Sequence, residues 1–262
     1  MKKYFYIFKT AITEKISYLL NLLFTFIFFC LIIFILLSIW NYIYADTQII
    51  NGYLLNQVMW YVLLAEVLWF GGHNPIFIDD VSNDIKTGNI ACKINKPYNY
   101  IFFSLAKYLG DIFLQMIVFL LIGIFIGCIF IDFIQNFNIK SILPIVTTYT
   151  FGIIINSLIY IIISLSSFWF EENKPFIWIY DKIIVIFGIV FPLEMLPDWL
   201  KPLTMYTPVF VSVYGPVKLT IDFSMNIFYK VMTAQFLWFI GLIILALYIY
   251  QKGAKKINSN GG

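Results

Sequence analysis

Four polar side chains stand where hydrocarbon is expected, and they set what chemistry this chain could perform. Glu66 lies in the apolar run 53–70, followed by Val67, Leu68, Trp69 and Phe70, while Asn156 and Ser157 sit near the middle of the run 142–170. Glu194 falls inside FPLEMLPDWL, where apolar residues alternate with prolines. A charge in hydrocarbon is costly and faces a cavity, a partner group or an interface. Glu66 and Glu194 are therefore candidates for lining a polar path, for gating, or for ion pairing. Asn156 and Ser157, one turn beyond Gly152, suit either pore lining or hydrogen bonding between helices. Lys107 and Asp111, four residues apart, have the spacing of a helical ion pair.

Covalent and metal chemistry find no comparable constellation. His73 is the single histidine, and a metal site needs several ligands at set spacings, so no metal is expected. Ser, His and Asp do not gather into a nucleophile arrangement. Cys30, Cys92 and Cys128 are too few and scattered for a disulfide framework and read as packing residues. No GxxxxGK[ST] phosphate-binding loop occurs, so no ATP bound in that manner, and no other cofactor, is expected in this chain. Nothing points to nucleic acid.

The elements that carry these residues follow from composition. With 61% hydrophobic and 12% charged residues and a mean hydropathy of +0.88, the chain reads as an all-α polytopic membrane protein. Crossing a hydrocarbon core takes about 20 apolar residues. Six runs meet or approach that length, at 18–42, 53–70, 112–131, 142–170, 176–193 and 231–250, so residues 1–262 are expected to form one transmembrane domain with six helices. Asp181 and Lys182 interrupt the fifth run. The first run is too long in its apolar part, and lacks a small-residue cleavage pattern, to be a removable signal peptide. Trp40, Tyr42 and Tyr44 at one end of it, and Trp169 and Phe170 at the end of the fourth run, fit interfacial belts.

All 17 basic residues are lysine, a bias that suggests an AT-rich bacterial genome. Lysine-bearing short loops stay cytoplasmic. With the N-terminus inside, Lys2, Lys3, Lys9, Lys15, Lys86, Lys93, Lys96, Lys107, Lys174, Lys182, Lys252, Lys255 and Lys256 are cytoplasmic, and only Lys140, Lys201, Lys218 and Lys230 lie outside. Both termini are therefore expected in the cytoplasm.

Three segments between or before the runs have internal order. In residues 1–17, Phe5, Phe8, Ile12 and Ile16, continuing to Leu19, recur at helical spacing among lysines, the pattern of an interfacial helix. In the loop 71–107, Asn74 and Pro75 start a helix and Gly88 ends it. Phe77, Ile78, Val81 and Ile85 give helix 75–87 an apolar stripe, with Asp79, Asp80 and Asp84 on other faces. Its acidity favours docking to a protein over resting on anionic lipid. Residues 192–216 carry five prolines, Pro192, Pro197, Pro202, Pro208 and Pro216. Broken backbone survives at membrane depth only where protein or a water-filled cavity satisfies it. The stretch is too short to span, so a re-entrant pair of helices on the outer side is expected.

This order of features resembles the permeases of type 2 ABC transporters over nearly the whole chain. DIKTGNIACKINKP, residues 84–97, is similar to the segment where those permeases carry an acidic residue, then Ile, Gly and a Lys-Pro or Arg-Pro pair. Asn95, Lys96 and Pro97 stand where many relatives have Leu-Arg-Pro or Leu-Lys-Pro. FPLEMLPDWLKPLTMYTP, residues 191–208, resembles their outer re-entrant stretch. The resemblance implies the membrane subunit of an ATP-driven exporter in a bacterial plasma membrane. Helix 75–87 would be the coupling helix, with Pro75, Phe77, Ile78, Val81, Asp84, Ile85 and Gly88 transmitting the closure of two separate ATP-binding subunits. ATP and magnesium would be bound by those subunits, and the path would lie between this chain and a second, identical or related permease. Phe24, Phe26, Phe28, Phe29 and Phe34 in the first run would suit a hydrophobic or amphipathic cargo, although most are expected simply to face lipid or neighbouring helices.

Two other classes fit the residues. One is the substrate-binding membrane subunit of an importer with a shared energising module, which would bind a small solute without its ATPase. The other is an intramembrane enzyme, which would lose activity on replacement of Glu66 or Glu194.

Overall fold

The computed structural model describes residues 2–16, 19–94, 96–134 and 139–260. Tyr18 and Asn95, used in the sequence reading, lie outside them, as do the side chains of Ile16 and Leu19. Helix α1 (Lys2–Ile16) precedes α2 (Leu19–Ile43), and a short hairpin of β1 (Ile49–Ile50) and β2 (Tyr53–Leu54) leads into α3 (Leu55–Gly72). Then come α4 (Pro75–Lys86), α5 (Ile90–Ile94), α6 (Tyr100–Phe130), α7 (Ile142–Leu165) and α8 (Lys174–Ile184), which continues as a π-helix, Val185–Ile189. The proline-bearing stretch breaks into a 3₁₀ turn (Leu193–Met195), α9 (Lys201–Met205), a second π-helix (Phe210–Tyr214) and α10 (Gly215–Ile221) before α11 (Met225–Asn260).

Among the described residues, four helices are long and apolar enough to cross a membrane: Leu23–Ile43, Tyr100–Phe130, Ile139–Phe168 and Met225–Lys256. The other two of the six expected runs take different forms. Run 53–70 gives up its first two residues to β2 and becomes the centre of the molecule, since 14 of the 18 residues of α3 are buried. A helix apolar on every side belongs inside, and α2, α6, α7 and α10 pack around this one. Run 176–193 becomes α8 with its π-helical extension and stops at Ile189.

Two boundaries need correction. The third run, expected to begin at 112, belongs to a helix that starts at Tyr100, because the Asn99 carboxamide oxygen accepts from the Ile101 and Phe102 amides at 2.9 and 3.4 Å. The soluble loop, expected over 71–107, accordingly ends at Asn99. Helix α11 likewise overruns the sixth run at both ends.

Helix α1 lies along α6, but on a rotated face. Tyr4 packs on Phe102 at 6.0 Å between ring centroids, Phe8 on Phe113 at 5.5 Å, and Ala11 is buried. Phe5, on the apolar stripe expected of an interfacial helix, is 65% exposed. The interfacial belt is corrected too: Trp40 and Tyr44 turn inward, and the Tyr44 hydroxyl donates to the Tyr53 carbonyl at 3.0 Å, so only Tyr42 of the three faces out. Trp169 and Phe170 are exposed as expected. Cys92 and Cys128 are exposed instead of packed, and Cys30 is half-buried.

The lysine-rich segments meet at one end. Lys3 donates to the Pro97 carbonyl, Lys86 pairs with Glu172 at 3.4 Å, Lys256 donates to the Phe168 carbonyl at 3.2 Å, and Tyr100 stacks on Tyr250 at 5.4 Å. At the other end the hairpin meets α10, and Trp60 donates to the Asp132 carbonyl at 3.0 Å.

Candidate functional site

The amphipathic helix forms as its caps dictate. The Asn74 side chain accepts from the Phe77 amide at 3.2 Å with Pro75 at the first turn, and Gly88, at φ +76°, ends the helix in a left-handed conformation that favours glycine. Its apolar stripe turns inward. Phe77, Ile78, Val81 and Ile85 are all buried, against α7, the 166–168 turn and Tyr108, whose ring meets Phe77 at 5.1 Å. Ser82, on the same side, accepts from the Asn173 carboxamide at 2.6 Å, and Asp84 pairs with Lys93. The stripe that the sequence suggests for a partner is thus filled by the chain's own body. What remains open is the opposite side, with Pro75, Ile76, Asp79, Asp80, Asn83, Lys86 and Gly88.

Lys107 and Asp111 do not pair. Lys107 reaches Asp80 at 3.9 Å and lies over the Phe77 ring, while Asp111 accepts from Asn74 at 3.3 Å. Both residues of the expected intrahelical pair therefore tie α6 to α4 instead.

Behind α4 lies a cluster that sequence reasoning missed. His73, the residue between α3 and the α4 cap, stacks on Trp69 at 4.9 Å and meets Tyr160 of α7 at 5.4 Å. Its Nε2 is 3.6 Å from Asp181 of α8, which also accepts from the Tyr160 hydroxyl at 2.7 Å. Tyr108 donates to the Gly72 carbonyl at 2.8 Å, and Gln115 donates to that of Phe70 at 2.5 Å. The root of α4 is thereby hydrogen-bonded to α6 and in contact with α7 and α8. Apart from the Trp69–His73 stack, no local spacing signals this, because the other partners lie far away in sequence.

Burial pushes the His73 imidazole below its ordinary value of 6.5, against an opposing pull from the Asp181 charge. The folded chain thus holds a neutral ring that the unfolded chain protonates first. The stability it lends is full above about pH 6.5 and is lost as the pH falls from there through the lowered folded value. Melting curves between pH 8 and 5.5 are expected to show a larger acid-side fall in Tm for the wild type than for His73→Gln.

The polar residues of the apolar runs have separate fates. Glu66 is buried, 6% exposed, and no lysine pairs with it among the described residues, contrary to the pairing expected for it. Asn156 accepts from the Tyr180 hydroxyl at 2.8 Å, joining α7 to α8, and Ser157 donates to the Ile153 carbonyl of its own helix at 2.7 Å. These two act as links between and within helices.

Glu194 belongs to a charged cluster at the hairpin end. It accepts from the Tyr214 hydroxyl at 2.6 Å and faces Lys218 at 3.4 Å. Lys218 also reaches Asp222 at 3.2 Å and donates to the Tyr53 hydroxyl at 2.9 Å. One lysine therefore joins the hairpin to both limbs of the proline-broken stretch. Lys218→Met removes the cation shared by Glu194 and Asp222 and leaves both carboxylates without it. A loss of about 1–3 kcal/mol is expected, less than for a fully buried pair because both acids are partly solvated; chemical denaturation in detergent measures it.

Among the described residues several cavities open, two of them large. One of about 540 Å³ at the lysine-rich end is lined by Lys15, Trp69, His73, Asp80, Lys107 and Asp111, among others. The other, of about 380 Å³, lies by the hairpin against Tyr44, Asn56 and Trp60. Neither is lined by Glu66, Asn156, Ser157 or Glu194, but Asn156 lines a much smaller cavity, of about 10 Å³, together with Gly152 and Ser212. Among the described residues no group of three or more His, Cys, Asp or Glu is placed to hold a metal ion.

Long apolar helices around a buried central one, with an amphipathic helix held at their lysine-rich end, make this a multi-pass membrane protein. The family profile described as ABC-2 family transporter protein matches residues 28–261. The chain belongs to that family and is a transport membrane subunit of an ABC transporter. No curated protein matches it.

Proposed function

We propose that this chain is the membrane subunit of an ATP-driven exporter of hydrophobic or amphipathic cargo, in a bacterial plasma membrane, with α4 as its coupling helix. Both termini and α4 face the cytoplasm, and the hairpin and proline-broken stretch form the outer end, in keeping with the gathering of lysine-rich segments at one end. Two separate ATP-binding subunits, which hold ATP and magnesium, sit beneath α4. A second permease completes the path against the outward apolar faces of this chain, on which Phe24, Phe34 and Leu237 are each more than two-thirds exposed. With α3 and the helix beginning at Lys174 counted, the membrane is crossed six times, and residues 193–221 re-enter from outside.

The observation that carries this reading is the bonding of α4. It is capped, packed by its apolar side on the body of the permease, hydrogen-bonded at its root to α6 and in contact there with α7 and α8. A push on its open face is therefore delivered to three membrane helices at once. The test is purification from the native membrane in mild detergent, with mass spectrometry of what accompanies the chain. A stoichiometric cytoplasmic protein bearing a P-loop supports the reading, and a further permease beside it indicates a heterodimer. Recovery of the chain alone under several mild conditions would overturn it, and tight solute binding by that lone chain would favour an importer subunit.

A further inference from the structure

One π-helix leads into the proline-broken stretch and a second lies within it. Val185–Ile189 closes with the Val190 amide on the Val185 carbonyl at 3.1 Å, and Phe210–Tyr214 ends with the Gly215 amide on the Phe210 carbonyl. A wider turn of this kind displaces carbonyls from their usual partners four residues on. Within a membrane protein such groups need a donor supplied by protein or by a wet cavity. Each π segment receives one, from a different helix. The Tyr61 hydroxyl of α3 donates to the Gly188 carbonyl at 2.6 Å. The Gln235 amide of α11 donates to the Val211 carbonyl at 2.8 Å and to the Thr148 carbonyl of α7 at 2.8 Å. Tyr61 and Gln235 are both fully buried.

The two segments also lean on each other and on α7 without slack. A Cβ at Gly188 would meet Val209 at 2.7 Å, and one at Gly152 would meet the Ser212 carbonyl at 2.8 Å. The arrangement is nonetheless incomplete, because the buried Gln235 side-chain oxygen has no hydrogen-bond partner. An amide satisfied on its donor side alone holds this geometry while leaving an acceptor open for another.

We propose that Tyr61 and Gln235 are positioning residues of the transport step: Tyr61 pins the first π segment to α3 and Gln235 pins the second to α11 and α7, and release of these bonds is how the packed segments part. The inference rests on the permease reading above. In structural terms Tyr61 and Gln235 are the pins, and the glycine contacts make the closed position tight enough for them to set.

The test compares wild type, Tyr61→Phe and Gln235→Leu in lipid nanodiscs with Tyr44→Phe, which removes a buried hydroxyl donor from the hairpin instead. Hydrogen–deuterium exchange is followed in residues 185–193 and 209–217, with α6 as an internal reference. Without nucleotide, Tyr61→Phe is expected to speed exchange about ten-fold in the first segment and Gln235→Leu in the second, with α6 unchanged. In the complex, trapping wild type with magnesium, ATP and vanadate is expected to speed both segments in the same way. Exchange in the two variants equal to that of Tyr44→Phe, or a rise spread evenly over all helices, would overturn the proposal, as would unchanged protection of both segments on trapping. The nucleotide-free comparison needs this chain alone. Failure to find an ATP-binding partner would therefore sink the permease reading while leaving the pins to be judged by exchange.

Discussion

Replacing Val81 and Ile85 together by aspartate is expected to abolish the folded chain. Both side chains are under 10% exposed and face α7 and the 166–168 turn. Two unpaired carboxylates there lose the apolar contact and bring buried charge, each change costing several kcal/mol, a sum comparable to the stability of a typical domain. The measurement is the yield of monodisperse protein by size-exclusion chromatography, with Val81→Ala as a milder reference at about 1–3 kcal/mol. The loss is expected without any ATP-binding partner present. On sequence alone the same substitution would look like a clean test of docking, since the stripe reads as a contact surface. Its burial makes it a test of folding.

The opposite side of the same helix is expected to behave in the opposite way. Ile76 is 60% exposed and Asp79 is exposed. Ile76→Lys combined with Asp79→Lys leaves the packed side intact and costs about 1 kcal/mol or less of stability, mostly from positive charge near a helix N-terminus. If α4 meets the ATP-binding subunit through this face, reversing its charge and apolarity removes contacts at the centre of a small interface. A drop of about ten-fold or more in coupled ATP turnover is expected, with expression and Tm near wild type. The contrast between a folding defect from one side and a coupling defect from the other is what the geometry of α4 predicts.

Much of α4 was legible because its signals are local. Asn74, Pro75 and Gly88 mark its ends, and the structure agrees to within one residue. What covers its stripe was not legible, since periodicity identifies an apolar face without saying whose surface it meets. The start of α6 was hidden for a related reason. Lys107 and Asp111 read as the polar end of a span, yet both are held by α4, and the helix runs back through them to the Asn99 cap. The interruption of the fifth run by Asp181 and Lys182 is resolved in the same way. Asp181 faces Tyr160 and His73, and Lys182 lies over the Trp178 ring at 5.7 Å. Least legible were Tyr61 and Gln235, whose partners are 127 and 24 residues away and are backbone groups freed only by the π-helical geometry.

The most direct test of the central claim places a photo-crosslinking amino acid at position 79 in one sample and at position 81 in another, in cells that contain the whole assembly. Irradiation is predicted to join position 79 to a cytoplasmic protein bearing a P-loop, and to give no such product from position 81, which packs inside the permease. A product from neither position, or one from 79 with a protein that lacks a nucleotide site, would contradict the assignment of α4 as the element through which ATP hydrolysis drives this membrane subunit.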